Sequence, residues 1–151
     1  MSFTSQPGTY GARQPGRMIR WVNTVTAGVI RRKGKLGSVD ALVLTTVGRK
    51  SGQERSTPLN YVPGTDGSWL IVASANGAAA DPAWFLNLSA APDSARIELA
   101  GRMVPVHAEQ LAGDERAEAW RTITAANPRF AGYEAKTDRI IPVIRLTERP
   151  A

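Results

Sequence analysis

Ala41-Leu42-Val43-Leu44-Thr45-Thr46-Val47-Gly48-Arg49-Lys50-Ser51-Gly52-Gln53-Glu54-Arg55 is an apolar run that enters a tight basic turn and continues into a second extended run, Ser56 to Val62. Two glycines bracket two cations and a hydroxyl, which predicts a β-hairpin with a positive tip. Gly48 and Gly52 can adopt positive φ without steric cost, so the backbone can fold sharply and turn its N–H groups outward. Arg49, Lys50 and, at the foot of the returning strand, Arg55 add three positive charges. Backbone donors, the Ser51 hydroxyl and guanidinium groups at one tip suit phosphate or carboxylate oxygens. A solvated loop that is basic by composition would account for the same residues, so the rest of the chain has to decide.

Upstream, Met18, Trp21, Val22, Val25, Val29 and Ile30 recur at three- and four-residue spacing, predicting one amphipathic helix over 17–32. It runs into Arg31-Arg32-Lys33-Gly34-Lys35, where the macrodipole favours cations and Gly34 supplies a stop. The stripe reads as core-facing, with contact to anionic lipid as the alternative. Residues 1–16, with Pro7, Gly8, Gly11, Pro15 and Gly16, have the composition of a flexible leader. The expected organisation is therefore a leader over 1–16, a helix and basic linker over 17–37 and a globular domain over 38–151.

Downstream, Ser68 to Ser74 is a third strand signal after the turn-rich Pro63-Gly64-Thr65-Asp66-Gly67. Ala73-Ser74-Ala75-Asn76-Gly77-Ala78-Ala79-Ala80 then offers only small side chains, so another molecule could approach the backbone of Ser74 to Gly77. Asp81-Pro82-Ala83-Trp84-Phe85-Leu86-Asn87-Leu88 predicts a helix with Asp81 at the N-cap and Pro82 at the first helical position. Phe85 and Leu88 read as core, and Trp84 as core or as a ligand wall. Ala95 to Leu99 and Arg102 to Ala108 alternate apolar and polar across Ala100-Gly101, predicting a hairpin in which Ala95, Ile97 and Leu99 face Val104, Val106 and Ala108. Asp114 to Ala126 predicts a helix ended by Asn127-Pro128, Phe130 to Arg139 a polar-aromatic loop, and Ile140 to Leu146 a last strand. Six mainly antiparallel strands and two or three short helices describe an α+β domain with a small barrel at its centre.

Composition narrows the function classes. Of the 151 residues none is Cys and one, His107, is histidine, which excludes disulfides, thiolate metal sites and a multi-histidine centre within one chain and agrees with a reducing cytoplasm. Neither a signal peptide nor a spanning helix is expected, because Arg13, Arg17, Arg20 and Asn23 interrupt the first thirty residues. Residues 1–55 hold ten Lys and Arg against two acids, +8, whereas the remainder holds nine against eleven, −2. That asymmetry predicts an anionic partner near the N-terminal third: a polyanionic small molecule, an anionic membrane surface or a nucleic acid. Stacking aromatics are not interleaved with the cations, so nucleic acid is not expected. No G-x-G-x-x-G follows a strand, the glycine turn is not a Walker loop, and no Gly-x-Ser-x-Gly elbow exists. His107 reads as a surface residue.

Leu44-Thr45-Thr46-Val47-Gly48-Arg49-Lys50-Ser51-Gly52, Thr57-Pro58-Leu59, Val72-Ala73-Ser74, Asp81-Pro82-Ala83-Trp84-Phe85-Leu86-Asn87-Leu88 and Thr137-Asp138-Arg139-Ile140-Ile141-Pro142-Val143 together resemble, in order and spacing, the deazaflavin-dependent nitroreductase family of actinobacteria. The resemblance implies a split β-barrel (flavin-reductase-like) and a cytoplasmic reductase using coenzyme F420, a deazaflavin with a phosphodiester and an oligoglutamate tail. It implies contacts to the phosphate and tail from Arg49, Lys50, Ser51, Gly52 and Arg55. Pro58, Asn60, Ser74, Ala75, Asn76 and Gly77 would line the deazaflavin, with Trp84 beside it. Phe130, Tyr133 and Lys136 would shape the substrate pocket, and Tyr133 or solvent would deliver a proton. Ala75 stands where many members have Lys, and Asn60, Phe130 and Lys136 replace aromatic residues, so the acceptor is expected to be a quinone, a nitroaromatic or another conjugated electrophile. The alternatives are an FMN-binding split barrel, or a non-enzymatic module for anionic lipid or nucleic acid acting through Arg31 to Lys35; peripheral membrane contact through the N-terminal helix is a further expectation.

Overall fold

The computed structural model describes residues 3, 28–36, 39–64, 66–73, 82–135 and 141–149. Helical residues 28–33 (α1) lead into β1 (Lys35–Leu36), β2 (Val39–Val47), β3 (Glu54–Asn60), β4 (Val62–Pro63) and β5 (Trp69–Val72). There follow α2 (Ala83–Ala90), β6 (Ala95–Leu99), β7 (Arg102–Gln110), α3 (Gly113–Ala126), α4 (Arg129–Ala135) and β8 (Val143–Glu148). Every pairing is antiparallel.

One run of chain serves two neighbours. Residues 54–60 pair with β2, Val43 opposite Pro58, and the continuation Val62–Pro63 pairs with β5, Val62 opposite Leu70. From β5 the sheet continues through β8, β7 and β6 back to β2, so the pairing returns on itself as a small barrel. The change of partner occurs at Tyr61, whose N–H donates to Asp40 O at 3.3 Å. That bond puts the odd-numbered N–H groups of β3 toward β2 and the even-numbered ones outward. Pro58 therefore sits where its missing N–H breaks no ladder bond.

The buried apolar side chains among the described residues pack in three groups. Leu42 and Leu44 of β2 point into the barrel with Ile71, Ile97, Val104, Val106, Ile144 and Leu146, and α2 stops its end with Trp84, Phe85 and Leu88. Phe3 lies edge-on to Phe85 at 5.8 Å. The opposite side of β5 and β8, Leu70, Val72 and Val143, packs under Ile123 of α3 and Phe130 of α4. Burial on both faces explains why Trp69–Val72 shows no alternation. The other side of β2, Ala41 and Val43, is covered by Ile30 of α1.

Several expected boundaries move. The first returning strand begins at Glu54 and breaks at Tyr61, and the last begins at Val143 because Pro142 has no N–H to give. Pro82 takes the position flanking α2 with an extended ψ of 154°, and not the first helical position. Residues 129–135 are helix and not loop, since Ala131, Glu134 and Ala135 are good helix formers that outweigh Gly132. Asp81, most of the 17–32 helix and residues 1–16 other than Phe3 lie outside the described residues. The 95–108 hairpin has the expected register, Ala95 opposite Val106 and Ile97 opposite Val104, closed by Ala100 and Gly101 at φ 49° and 78°.

Leu44 is fully buried between β3 and β6, so Leu44→Ala should cost about 3 kcal/mol in urea unfolding. Met103→Ala, at a side chain 67% exposed, should stay within about 0.5 kcal/mol.

Candidate functional site

The β2–β3 turn is held by bonds that select which of its donors remain free. Gly48 N–H donates to Gln53 O at 2.7 Å, Gly52 N–H to Gly48 O at 2.8 Å, and Gln53 N–H to Ser51 Oγ at 3.2 Å. Only Gly52 has positive φ, +71°. Gly48 is required for a different reason: a Cβ there would stand 2.7 Å from Ser51 Oγ and 3.1 Å from Gln53 O. Of the two glycines free to turn left-handed one does so, and the N–H groups of both are bonded within the turn and do not point outward. Among the described residues the turn N–H groups without an acceptor are those of Lys50 and Ser51.

Arg49, Lys50 and Arg55 are exposed, and among the described residues none has a carboxylate at ion-pairing distance. Glu54, adjacent to Arg55, is taken by Arg96 of β6. The Arg96 hydrogen bond and charge hold the Glu54 carboxyl below its ordinary 4.5, so the acid stays ionised and paired. The root of the turn is pinned by Thr45 Oγ1 and Ser56 Oγ, 2.8 Å apart.

Its tip is pinned from α2, which holds the site residue that sequence reasoning left without a role. Asn87 is 5% exposed on the core side of a mostly apolar helix. Its Oδ1 accepts the Arg49 backbone N–H at 3.1 Å, and its Nδ2 donates to Thr46 Oγ1 at 3.2 Å. A backbone N–H can only donate, so the amide orientation is determined. The available signal was an asparagine on a buried helix face, which is costly unless hydrogen-bonded.

Farther along β3, Pro58 and Asn60 are half-buried on the side of the strand that faces away from β2 in its backbone N–H pattern. The β4–β5 register, Val62 opposite Leu70, would if continued set Asn60 opposite Val72. Ala73 N–H donates to Pro142 O at 3.0 Å, extending the pairing with β8, and among the described residues the outward N–H groups of Ser56 and Asn60 on β3 have no strand partner. The five steps from Arg55 to Asn60 span about 17 Å of strand. A basic tip and an open edge on one strand suit an elongated ligand with an anionic end and a flat end.

The other expected residues are distributed as follows. Trp84 is 6% exposed, one helical turn before Asn87, its ring edge-on to Phe85 at 6.5 Å. Phe130, 7% exposed, belongs to the layer under α3. Tyr133 lies within α4 and its side chain is outside the described residues, as are Ser74, Ala75, Asn76, Gly77 and Lys136. His107 is exposed and paired with Asp93. Among the described residues no cluster of His, Asp and Glu could hold a metal, and no helix is long and apolar enough to cross a membrane.

Residues 17–148 match the family model described as F420H(2)-dependent quinone reductase. The chain is 36% identical over 116 residues to an F420H(2)-dependent quinone reductase of Mycobacterium tuberculosis, covering 75% of this chain and 76% of that protein. Among solved structures it is similar to an F420-H2 dependent reductase, FDR-A, at TM-score 0.63 and 34% identity over 71% of this chain and 93% of the other. A domain-swapped dimer has TM-score 0.65 and 31% identity, covering 87% of this chain and all, 100%, of that one.

The turn geometry sets an order of costs. Gly52→Ala should destabilise by about 1 kcal/mol through its left-handed φ. Gly48→Ala should cost more alone than in a Ser51→Ala background, because the nearest obstacle is the Ser51 hydroxyl; additive losses in a double-mutant cycle of urea midpoints would refute that contact.

Proposed function

The chain belongs to the F420H(2)-dependent quinone reductase family, and on that premise we propose that its β2–β3 turn holds the anionic part of coenzyme F420 while the open edge of β3 receives the deazaflavin. The protein is an F420H2-dependent reductase of split-barrel fold. The observation that supports the assignment of residues is the turn itself: three exposed cations without carboxylate partners and two backbone N–H groups without acceptors, on the strand whose edge stays open.

That donor set fits the coenzyme. A phosphodiester and an oligoglutamate tail need several cations and N–H donors with no competing acid. Glu54, the nearest candidate, is occupied by Arg96. The proposed holders of the anionic part are Arg49, Lys50, Ser51, Gly52 and Arg55. Pro58, Asn60 and the backbone of Ser74, Ala75, Asn76 and Gly77 are proposed to line the ring, with Trp84 behind them. The donors and carbonyls of an unpaired strand edge match the polar rim of a flat heterocycle.

Bound in reduced form, F420 supplies the hydride; the protein binds, orients and excludes water. A quinone is the proposed acceptor, after the name of the M. tuberculosis relative. Hydride addition to a quinone leaves an oxyanion that must gain a proton to become the hydroquinone. Tyr133 and Lys136 are proposed to face the acceptor, with Phe130 as the buried anchor of α4, and the Tyr133 hydroxyl to donate that proton.

The decisive experiment is titration of the purified protein with F420, followed by F420H2 oxidation with menadione as acceptor; neither binding nor turnover would end the proposal. Arg49→Ala with Lys50→Ala should weaken F420 about 100-fold, through two lost charge-assisted contacts, and a deazaflavin without phosphodiester and tail far less. Equal losses would mean that the turn does not read the tail. Tyr133→Phe should lower kcat with the F420 Kd unchanged, and an unaltered kcat would assign the proton to solvent.

A further inference from the structure

We propose that Asn87, oriented by Thr46, is a positioning residue for coenzyme affinity: it holds the Arg49 backbone so that the neighbouring Lys50 and Ser51 N–H groups and the turn cations converge on one anion. This rests on the reading of the turn as the anion holder. The bond partners argue for the role. Asn87 is among only four buried polar residues described, and its two bonds go to the root and the tip of the same turn. Helix α2 does not need those bonds to dock, since Trp84, Phe85 and Leu88 already seat it in the barrel. A buried amide on that face costs free energy unless satisfied, and an apolar residue would serve packing alone.

Geometry gives the amide a selective effect. With the Arg49 N–H consumed by Oδ1 at 3.1 Å and those of Gly48 and Gly52 consumed within the turn, the free donors are the consecutive pair Lys50 and Ser51. Consecutive N–H groups facing one side form an anion-binding concavity. Arg49 Nη1 lies 3.5 Å from the same Oδ1, so the amide also sets where the guanidinium begins. Thr46, 2% exposed beneath the turn, acts only through Asn87. Releasing the amide lets the turn sample orientations in which the two donors and the cations no longer share a target.

The test uses the full-length protein with Thr46→Val, Thr46→Ser and Asn87→Ala. Thr46→Val keeps shape and removes the hydroxyl; it should raise the F420 Kd about fivefold, and Asn87→Ala about tenfold. The Kd for a deazaflavin without phosphodiester and tail should change less than about twofold, and kcat of Thr46→Val at saturating F420 should hold. Thr46→Ser should restore wild-type affinity. Independently of any ligand, amide hydrogen exchange at Arg49 should quicken in Thr46→Val and Asn87→Ala. Unchanged Arg49 exchange in folded variants overturns the clamp, and equal losses for both deazaflavins overturn its positioning role in favour of a structural one. Wild-type protein that fails to bind F420 overturns the coenzyme reading and this role with it, and leaves the exchange result to show that the clamp itself exists.

Discussion

Residues 54–63 are too few to satisfy two neighbours along their whole length, and that shortage shapes the molecule. β3 is committed to β2 up to Asn60 and β4 to β5 from Val62, so among the described residues an edge stays unpaired between them. An open strand edge is a liability for association. Here Pro58 withholds an N–H from part of it, and the remaining donors suit a ligand that takes the place of a strand. The interior cannot be closed by strands alone, so α2 fills it with Trp84, Phe85 and Leu88. Site and core therefore share one helix.

Electrostatics follows the same arrangement. The acids near the site are engaged elsewhere: Glu54 by Arg96, Glu98 by Arg31, and Asp40 faces Lys35. These pairs are largely exposed and contribute little to stability. Their effect is to remove negative charge from around the turn while Arg49, Lys50 and Arg55 keep theirs. A field so arranged steers anions before any contact forms.

How far this was legible in the sequence depends on range. Alternation in 95–108, the glycine turn after Ala41–Val47 and the apolar helix after Pro82 are local signals, and hairpin, turn and helix followed. The fivefold block pattern gave the family, and so the coenzyme, although no triad or metal set was there to be found. Three things were hidden because they depend on partners far along the chain. The strand break at Tyr61 is specified by Asp40 and Leu70, not by neighbours in sequence. Gly48 is needed for the approach of Ser51 and Gln53, whereas the sequence suggested only a left-handed φ. Asn87 was quoted within a helix motif, but its bonds to Thr46 and Arg49 span forty-one and thirty-eight residues.

The seating of α2 has a reciprocal consequence. Because one helix both plugs the barrel and fixes the turn, any ligand held by the turn in its fixed form also strengthens the plug, by the linkage that applies whenever only the folded state binds. A ligand held at the turn and the packing of Trp84, Phe85 and Leu88 would then be read out together, as the resistance of one helix to leaving the barrel.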